Sequence, residues 1–392
     1  VPLVLLVSAG SFSYWHFVRG DAAHGAMSAL SVLVVACPCA LGLATPLVTS
    51  LGVGRAARDG VLIRSGEVLQ RLCRVSRLFM DKTGTLTRGT MTVSDVACVG
   101  GRCSSPNEAL AWLASLEGAS EHAVARAIVA AADQAGVALG TVSEFRAFPG
   151  EGAIGRVRVG DAERLVAAGT AAFVRRMGFH TGDDMPPADD AGGTTVYAGW
   201  DGEVQAVVAL SDAVRAEARE AVARLGELDI AVTVLSGDRQ PVLRELARQL
   251  ELDDVHGELT PDMKIAEVRG ARGDGCVVGM VGDGINDAPA LAEADVGIAM
   301  SGGTQLAKEA GDVTLLGDDL RRLPWCFGLA RRVYQLIRQN LFWAFGYNVG
   351  MLCLAFFGLL HPLLAAVVML VSSFLVLGNS LRLARHPGPA GR

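Results

Sequence analysis

The sequence predicts an α/β protein in which a parallel-sheet domain is interrupted by a smaller α+β domain, and apolar helices flank the pair. Three observations predict it. Buried-strand runs at residues 75–80, 231–235 and 276–281 alternate with helical patterns at 213–225 and 241–250, as in the βαβ units of a parallel sheet. Residues 97–209 break that rhythm with a helical run at 107–132 and short strands around 150–159 and 195–208. Four apolar stretches stand at the two ends of the chain, at 1–18, 26–51, 341–360 and 363–381. Each is near the ~20 residues a helix needs to cross a bilayer.

Composition agrees. Hydrophobic residues make up 51% of the 392 positions, charged ones 19%, and mean hydropathy is +0.36. Such a chain is not disordered, and an ordinary soluble enzyme is not expected. A net charge of −6 offers no bulk attraction to nucleic acid, and none is expected as a partner. Eight cysteines in this length do not make a disulfide scaffold. The chain starts at Val1 rather than Met, as expected of a processed chain or a piece of a longer one.

Taken in order, residues 1–55 hold the first apolar pair. Residues 74–96 and 210–325 form the two parts of the parallel-sheet domain, 97–209 the insert, and 337–383 the second apolar pair. A polar loop, 178–193, lies inside the insert. Arg55, Arg58 and Arg64 follow the second stretch, Arg331, Arg332 and Arg338 precede the third, and Arg382 and Arg385 follow the fourth. The short connections carry little positive charge. The middle region is therefore expected on the cytoplasmic side of a lipid bilayer, as part of a multi-pass integral membrane protein.

The chemistry gathers at strand ends, where open α/β sheets bind ligands. Asp81 ends the first strand and precedes Lys82-Thr83-Gly84-Thr85. An aspartate exposed there can attack phosphorus. Ser236-Gly237-Asp238 follows the second strand, Lys264 precedes the third, and Gly282-Asp283-Gly284-Ile285-Asn286-Asp287 follows it. Lysine stands only at Lys82, Lys264 and Lys308, so each merits inspection. A phosphoryl group in transfer spreads charge over three oxygens, which Ser236, backbone N–H groups and Lys264 can hold. Asp81, Thr83, Asp283 and Asp287 are the expected Mg²⁺ set, screening an anionic nucleophile from an anionic substrate.

These elements, in this order, resemble the haloacid dehalogenase-like phosphotransferases. The heptad Asp81-Lys82-Thr83-Gly84-Thr85-Leu86-Thr87 and the run from Met280 to Leu291 resemble the phosphorylation motif and hinge of P-type ATPases. The resemblance implies a haloacid dehalogenase-like Rossmannoid phosphorylation domain with an inserted nucleotide-binding domain, an aspartyl-phosphate intermediate, and ATP and Mg²⁺ as cofactors. Phosphatases of this fold carry a second Asp two positions after the nucleophile. Thr83 stands there instead and delivers protons poorly near neutral pH. A phosphoenzyme that hydrolyses slowly by itself is expected.

In the insert, Glu117-Gly118-Ala119-Ser120-Glu121-His122 and the glycines Gly150, Gly152 and Gly155 resemble the adenine-pocket elements of the heavy-metal branch. The resemblance implies that Glu117, Ser120, Glu121, His122 and the three glycines bind nucleotide. Ala123 replaces the branch's usual Pro. Asp212, with Arg215, matches a family hinge near ribose or phosphate; a helix-start Asp is the plain alternative.

Cys37-Pro38-Cys39 lies inside the second apolar stretch. Pro38 removes a backbone N–H, and the local unwinding can turn both thiols to one cavity. Thiolates suit soft ions such as Cu(I), and also Zn²⁺. The run Cys37 to Pro46, with Tyr347-Asn348 after Asn340 and with Met369 before Ser372-Ser373, is similar to copper(I)-type transporting P-type ATPases. It implies Cys37, Cys39, Tyr347, Asn348, Met369 and Ser372 as ligands of a transported ion, most simply Cu(I). It also implies export across the cell membrane, and it admits delivery by a metallochaperone. Cys353 replaces the usual Pro. No Thr-Gly-Glu triplet of an actuator domain occurs, so the chain is expected to be the C-terminal part of such a pump. The alternatives are a Zn, Cd or Ag exporter, a membrane-anchored phosphatase of the same fold, and a fragment that binds nucleotide and metal without turning over.

Overall fold

The computed structural model describes residues 2–37, 39–99, 101–181, 194–283, 285–317 and 319–389. Pro38, Gly284 and most of the expected 178–193 loop lie outside them. At the start, α1 (Pro2–Ser13), α2 (Ala22–Val35) and α3 (Cys39–Arg58) lead to strand β1 (Val61–Ile63) and α4 (Gly66–Leu72). The second apolar stretch is thus two helices, α2 ending at Val35 and α3 beginning at Cys39.

The large sheet is built on β2 (Arg77–Asp81), whose last four residues are buried as a central parallel strand requires. The chain then leaves it through β3 (Thr87–Cys98). Helices α5 (Pro106–Glu117) and α6 (Ala123–Gln134) follow, where the sequence predicts one helical run. The break falls between Gly118 and His122, whose ring nitrogen caps α6 by accepting from the Val124 N–H. Strands β4 (Thr141–Phe148), β5 (Gly152–Val159) and β6 (Ala162–Gly169), helix α7 (Ala171–Arg176), and strands β7 (Thr194–Trp200) and β8 (Glu203–Val214) complete the insert. Its six strands are ordered β3-β8-β7-β6-β5-β4, all antiparallel. The paired β3 and β8 carry this sheet from Thr87 to Val214, outside the expected 97–209 on both sides. Alternating exposure along β3 hides this from a search for apolar runs. Trp112, Leu113, Leu116 and Ile128 of α5 and α6 pack on Val157, Val166, Val196 and Val208 of the sheet.

The chain returns through α8 (Ala218–Glu227), β9 (Ala231–Leu235), α9 (Gln240–Leu250), β10 (Val255–His256), α10 (Pro261–Gly273), β11 (Val278–Gly282), α11 (Ala288–Glu293), β12 (Val296–Met300), α12 (Gln305–Ala310) and β13 (Val313–Leu315). Residues 213–217, expected to open α8, belong to the end of β8 and the turn after it. The large sheet is ordered β1-β13-β12-β11-β2-β9-β10, parallel except for β1 at one edge. This is the α/β fold the sequence predicts, with β2 between β11 and β9.

Two helices end the chain, α13 (Arg322–Phe356) and α14 (Pro362–Leu381). The start of α13 is buried in the large sheet's core through Trp325, Cys326 and Phe327. Farther along, Ala344 meets Ala44 of α3 and Val376 of α14, with Tyr347 packed beside them. Of the four expected spans, one helix among the described residues, 362–385, is by itself long and apolar enough to cross a membrane. The segments Pro2–Val18 and Ala22–Val35 are apolar but shorter.

Candidate phosphoryl-transfer site

Three carboxylates meet above the large sheet. Asp81 ends β2, Asp283 follows β11, and Asp287 packs back over Gly282, where a Cβ would lie 2.8 Å from the Asp287 Cβ. One oxygen from each of the three lies within 4.8 Å of the others. Lys264, near the start of α10, lies between two of them, 2.5 Å from Asp81 Oδ1 and 2.8 Å from Asp287 Oδ1. Burial and then the Asp287 charge push the Asp81 carboxyl up to about 6, against the pull of Lys264. Burial and Asp287 likewise raise Asp283. Burial works to lower Lys264, but its two carboxylate partners outweigh it and raise it. The cluster faces a cavity of about 360 Å³ also lined by Thr83, Ser236, Gly237, Asp238 and Asn286. The Ser236 hydroxyl accepts from the Asp238 N–H at 3.1 Å, and Asp238 pairs with Lys82. Three hard oxygen donors in so small a space fit Mg²⁺.

The loop after Asp81 is held from the other connection between the sheets. Gly84 adopts φ +70°, and a Cβ there would lie 1.6 Å from Asp283 Oδ2. Only glycine lets this backbone pass the carboxylate. Arg215, buried just past β8, donates from Nε to the Thr85 carbonyl at 2.8 Å and from Nη2 to the Gly84 carbonyl at 2.9 Å. The Thr87 hydroxyl donates to Asp212 at 2.5 Å and accepts from the Gly84 N–H at 3.2 Å. Asp212 lies in strand β8, not at a helix start.

A second cavity, of about 220 Å³, opens in the insert. Glu117, Ser120, His122, Gly150 and Gly152 line it, together with Phe148 and Gly169. Glu121 and Gly155 do not. A Cβ on Gly155 would press on Leu116 and Val142 at 3.0 and 3.1 Å, so this glycine seats β5 against α5. Gly152 brings β5 and β6 together, since a Cβ there would lie 2.2 Å from the Ala168 carbonyl oxygen. Glu117 is 8% exposed, and burial pushes its carboxyl up to about 7.

At the apolar end, Cys37 is exposed at the break between α2 and α3. Cys39 begins α3. Asn348 keeps a buried Oδ1 with no hydrogen-bond partner among the described residues, Ser372 is buried, and Met369 is half-buried on α14. Helices α3, α13 and α14 pack together around Ala44, Ala344 and Val376.

The profile of the haloacid dehalogenase-like hydrolases matches residues 75–295. The chain belongs to that family. Its matched segment runs from just before the Asp81 strand to just past α11. Across its whole length the chain is 40% identical, over 396 residues, to the "probable copper-exporting P-type ATPase V" of Mycobacterium tuberculosis, of which it covers 50%. It is 40% identical over 397 residues to the silver exporting P-type ATPase of Salmonella typhimurium, covering 98% of this chain and 47% of that one. A crystal structure of a zinc-transporting PIB-type ATPase in the E2.Pi state superposes with a TM-score of 0.84 at 32% identity, over 97% of this chain and 62% of that one. The chain spans about half the length of the curated relatives it matches.

Motif reading gave Asn286 no role in the site, and it set Arg215 near ribose or phosphate rather than on the Asp81 loop. Asn286 lines the catalytic cavity, and its place within the Gly282–Asp287 run was the available signal. Arg215 grips the Asp81 loop across 130 residues of sequence, and nothing local announces that contact.

Proposed function

We propose that this chain carries out the phosphorylation half of ATP-driven heavy-metal transport, with Cu(I) as cargo. The observation that carries the reading is the Asp81–Lys264–Asp283–Asp287 cluster at the end of a central strand, with Thr83 where a phosphatase has its acid. ATP enters with its base toward the cavity of Glu117, Ser120 and His122. Asp81, more than half ionised at pH 7 with its pKa near 6, attacks the γ-phosphorus in line. The Asp81 oxygen–phosphorus bond forms as the bond to the leaving ADP oxygen breaks. Lys264 and the Ser236 hydroxyl hold the transferring oxygens. Asp81, Asp283 and Asp287 would hold Mg²⁺, which neutralises phosphate charge when bound.

Cu(I) is favoured by the donor types. The helices around Cys37 and Cys39 offer Tyr347, Asn348, the Met369 thioether and Ser372, and neither 341–360 nor 363–381 contains a carboxylate or lysine. The zinc-transporting structural relative favours a divalent ion as the second reading. In both readings the domains at the sheets face the cytoplasm from a multi-pass membrane protein.

The test is ³²P incorporation from γ-labelled ATP into the purified chain, with Cu(I) and with Zn²⁺. Acid-stable, hydroxylamine-sensitive label is expected, stimulated by Cu(I) and absent in Asp81→Asn. Label in Asp81→Asn would overturn the nucleophile, and stimulation by Zn²⁺ alone would overturn the cargo.

A further inference from the structure

Cys98 is the last residue of β3, and Cys103 stands just ahead of the Ser105 cap of α5. The two are joined as a disulfide with Cα atoms 5.5 Å apart. Their neighbours hold the loop independently of that bond. Gln205, 0% exposed on β8, accepts the Arg102 N–H on its side-chain oxygen at 3.1 Å, and its carbonyl accepts the Val99 N–H at 2.9 Å. The residues just inside the two cysteines are therefore held by one residue of the adjacent strand. Cys103 stands two residues ahead of Ser105, the N-cap of α5. There the Ser105 hydroxyl accepts from the Glu108 N–H and the Glu108 carboxylate accepts from the Ser104 N–H.

The other end of α5 is Glu117, in the wall of the insert's cavity. The helix is one rigid segment packed on the sheet through Trp112, Leu113 and Leu116. The disulfide ties the end of β3 covalently to the residues that enter α5.

We propose that Cys98 and Cys103 are a reversible dithiol–disulfide modification site, oxidised by low-molecular-weight disulfides of the glutathione class, that sets the order of α5 and so the hold of the cavity on nucleotide. The cavity's ligand rests on the function proposed above. One cysteine thiolate attacks a sulfur of the oxidant, forming a mixed disulfide and releasing one small thiolate. The second cysteine thiolate attacks the protein-side sulfur and expels the other. The protein gives up two electrons, and the two thiol protons end on the two released small thiols. A disulfide in a domain that faces a reducing compartment is of the transient, sensing kind.

The full chain in detergent is equilibrated in reduced-to-oxidised glutathione mixtures, acid-quenched, alkylated and mapped by mass. Cys98 and Cys103 are expected to lose alkylation together, with one midpoint, giving a peptide lighter by two hydrogens. Amide hydrogen exchange in 104–117 should slow about threefold or more in the oxidised form, and a fluorescent ATP analogue should bind about threefold tighter. Cys98→Ser and Cys103→Ser should each abolish both differences. Alkylation of both cysteines across the whole range, or their independent loss, would overturn the site. Equal exchange and equal affinity in the two forms would overturn the switch. Loss of analogue binding in both forms would count against the nucleotide reading alone, since alkylation and exchange are read without nucleotide.

Discussion

Glu117 is the residue where environment and ordinary chemistry disagree most plainly. Burial pushes its pKa from the usual 4.5 to about 7 in the fold. The folded chain therefore keeps a proton that the unfolded chain has lost between these values. Stability conferred by the neutral form is complete below about 4.5 and declines as pH rises toward 7. The full shift corresponds to an upper bound of about 3 kcal/mol. Glu117→Gln keeps the shape and removes the ionisation. Thermal melts of the variant should match the parent near pH 5 and lie several degrees higher near pH 8. An equal offset at both pH values would count against a buried, protonated carboxyl. A motif scan marks Glu117 as a pocket residue but gives no hint of its protonation, which follows from the packing of α5 against the sheet.

At the scale of elements, the exit of β8 does more than connect the two sheets. Arg215 grips two carbonyls of the Asp81 loop, and Asp212 takes the Thr87 hydroxyl at the loop's end. The strand that returns from the insert thus sets the backbone that presents the nucleophile. Arg215→Lys keeps the charge but loses the two-pronged donor, leaving at least one buried carbonyl without its partner. Such a loss costs about 1–3 kcal/mol. If it falls on the positioned loop, label formation from ATP should slow about 10-fold to 100-fold. Nucleotide affinity at the distant cavity should be unchanged. Rapid-quench labelling beside a fluorescent-nucleotide titration separates the two, and equal losses in both would argue for general destabilisation. The sequence placed Asp212 and Arg215 at a helix start because 213–225 reads as one amphipathic run. In the fold, pairing with β3 claims its first two residues, Ala213 and Val214, for strand β8. The carboxylate cluster was legible, because each member follows or precedes a buried strand and the parallel order brings strand ends together. The clamp was not, because it depends on the crossing of two connections far apart in sequence.

For the whole molecule, α13 is the mechanical link. Its 35 residues make a rod of about 52 Å. One end is locked into the large sheet's core through Trp325, Cys326 and Phe327, and the other lies beside α3 and α14. Apolar stretches in the sequence showed where such helices end, but not that the third runs unbroken into the catalytic core, since its first half is amphipathic. This rod would, under the proposed function, pass a change at Asp81 to the helices around Cys37, and the reverse. Under the proposed function, ion occupancy at the cysteines should therefore govern phosphorylation from ATP. Cys37→Ser should abolish Cu(I)-stimulated labelling. Labelling from inorganic phosphate, which starts from the ion-free state, should survive in the same variant. Loss of both labels would mean that the substitution damages the core rather than the ion site. Metal-stimulated labelling that survives in Cys37→Ser would place the cargo ligands elsewhere. Both labels are read at Asp81, and only the reaction with ATP calls for the ion at the far end of the rod, so only their divergence supports coupling through it.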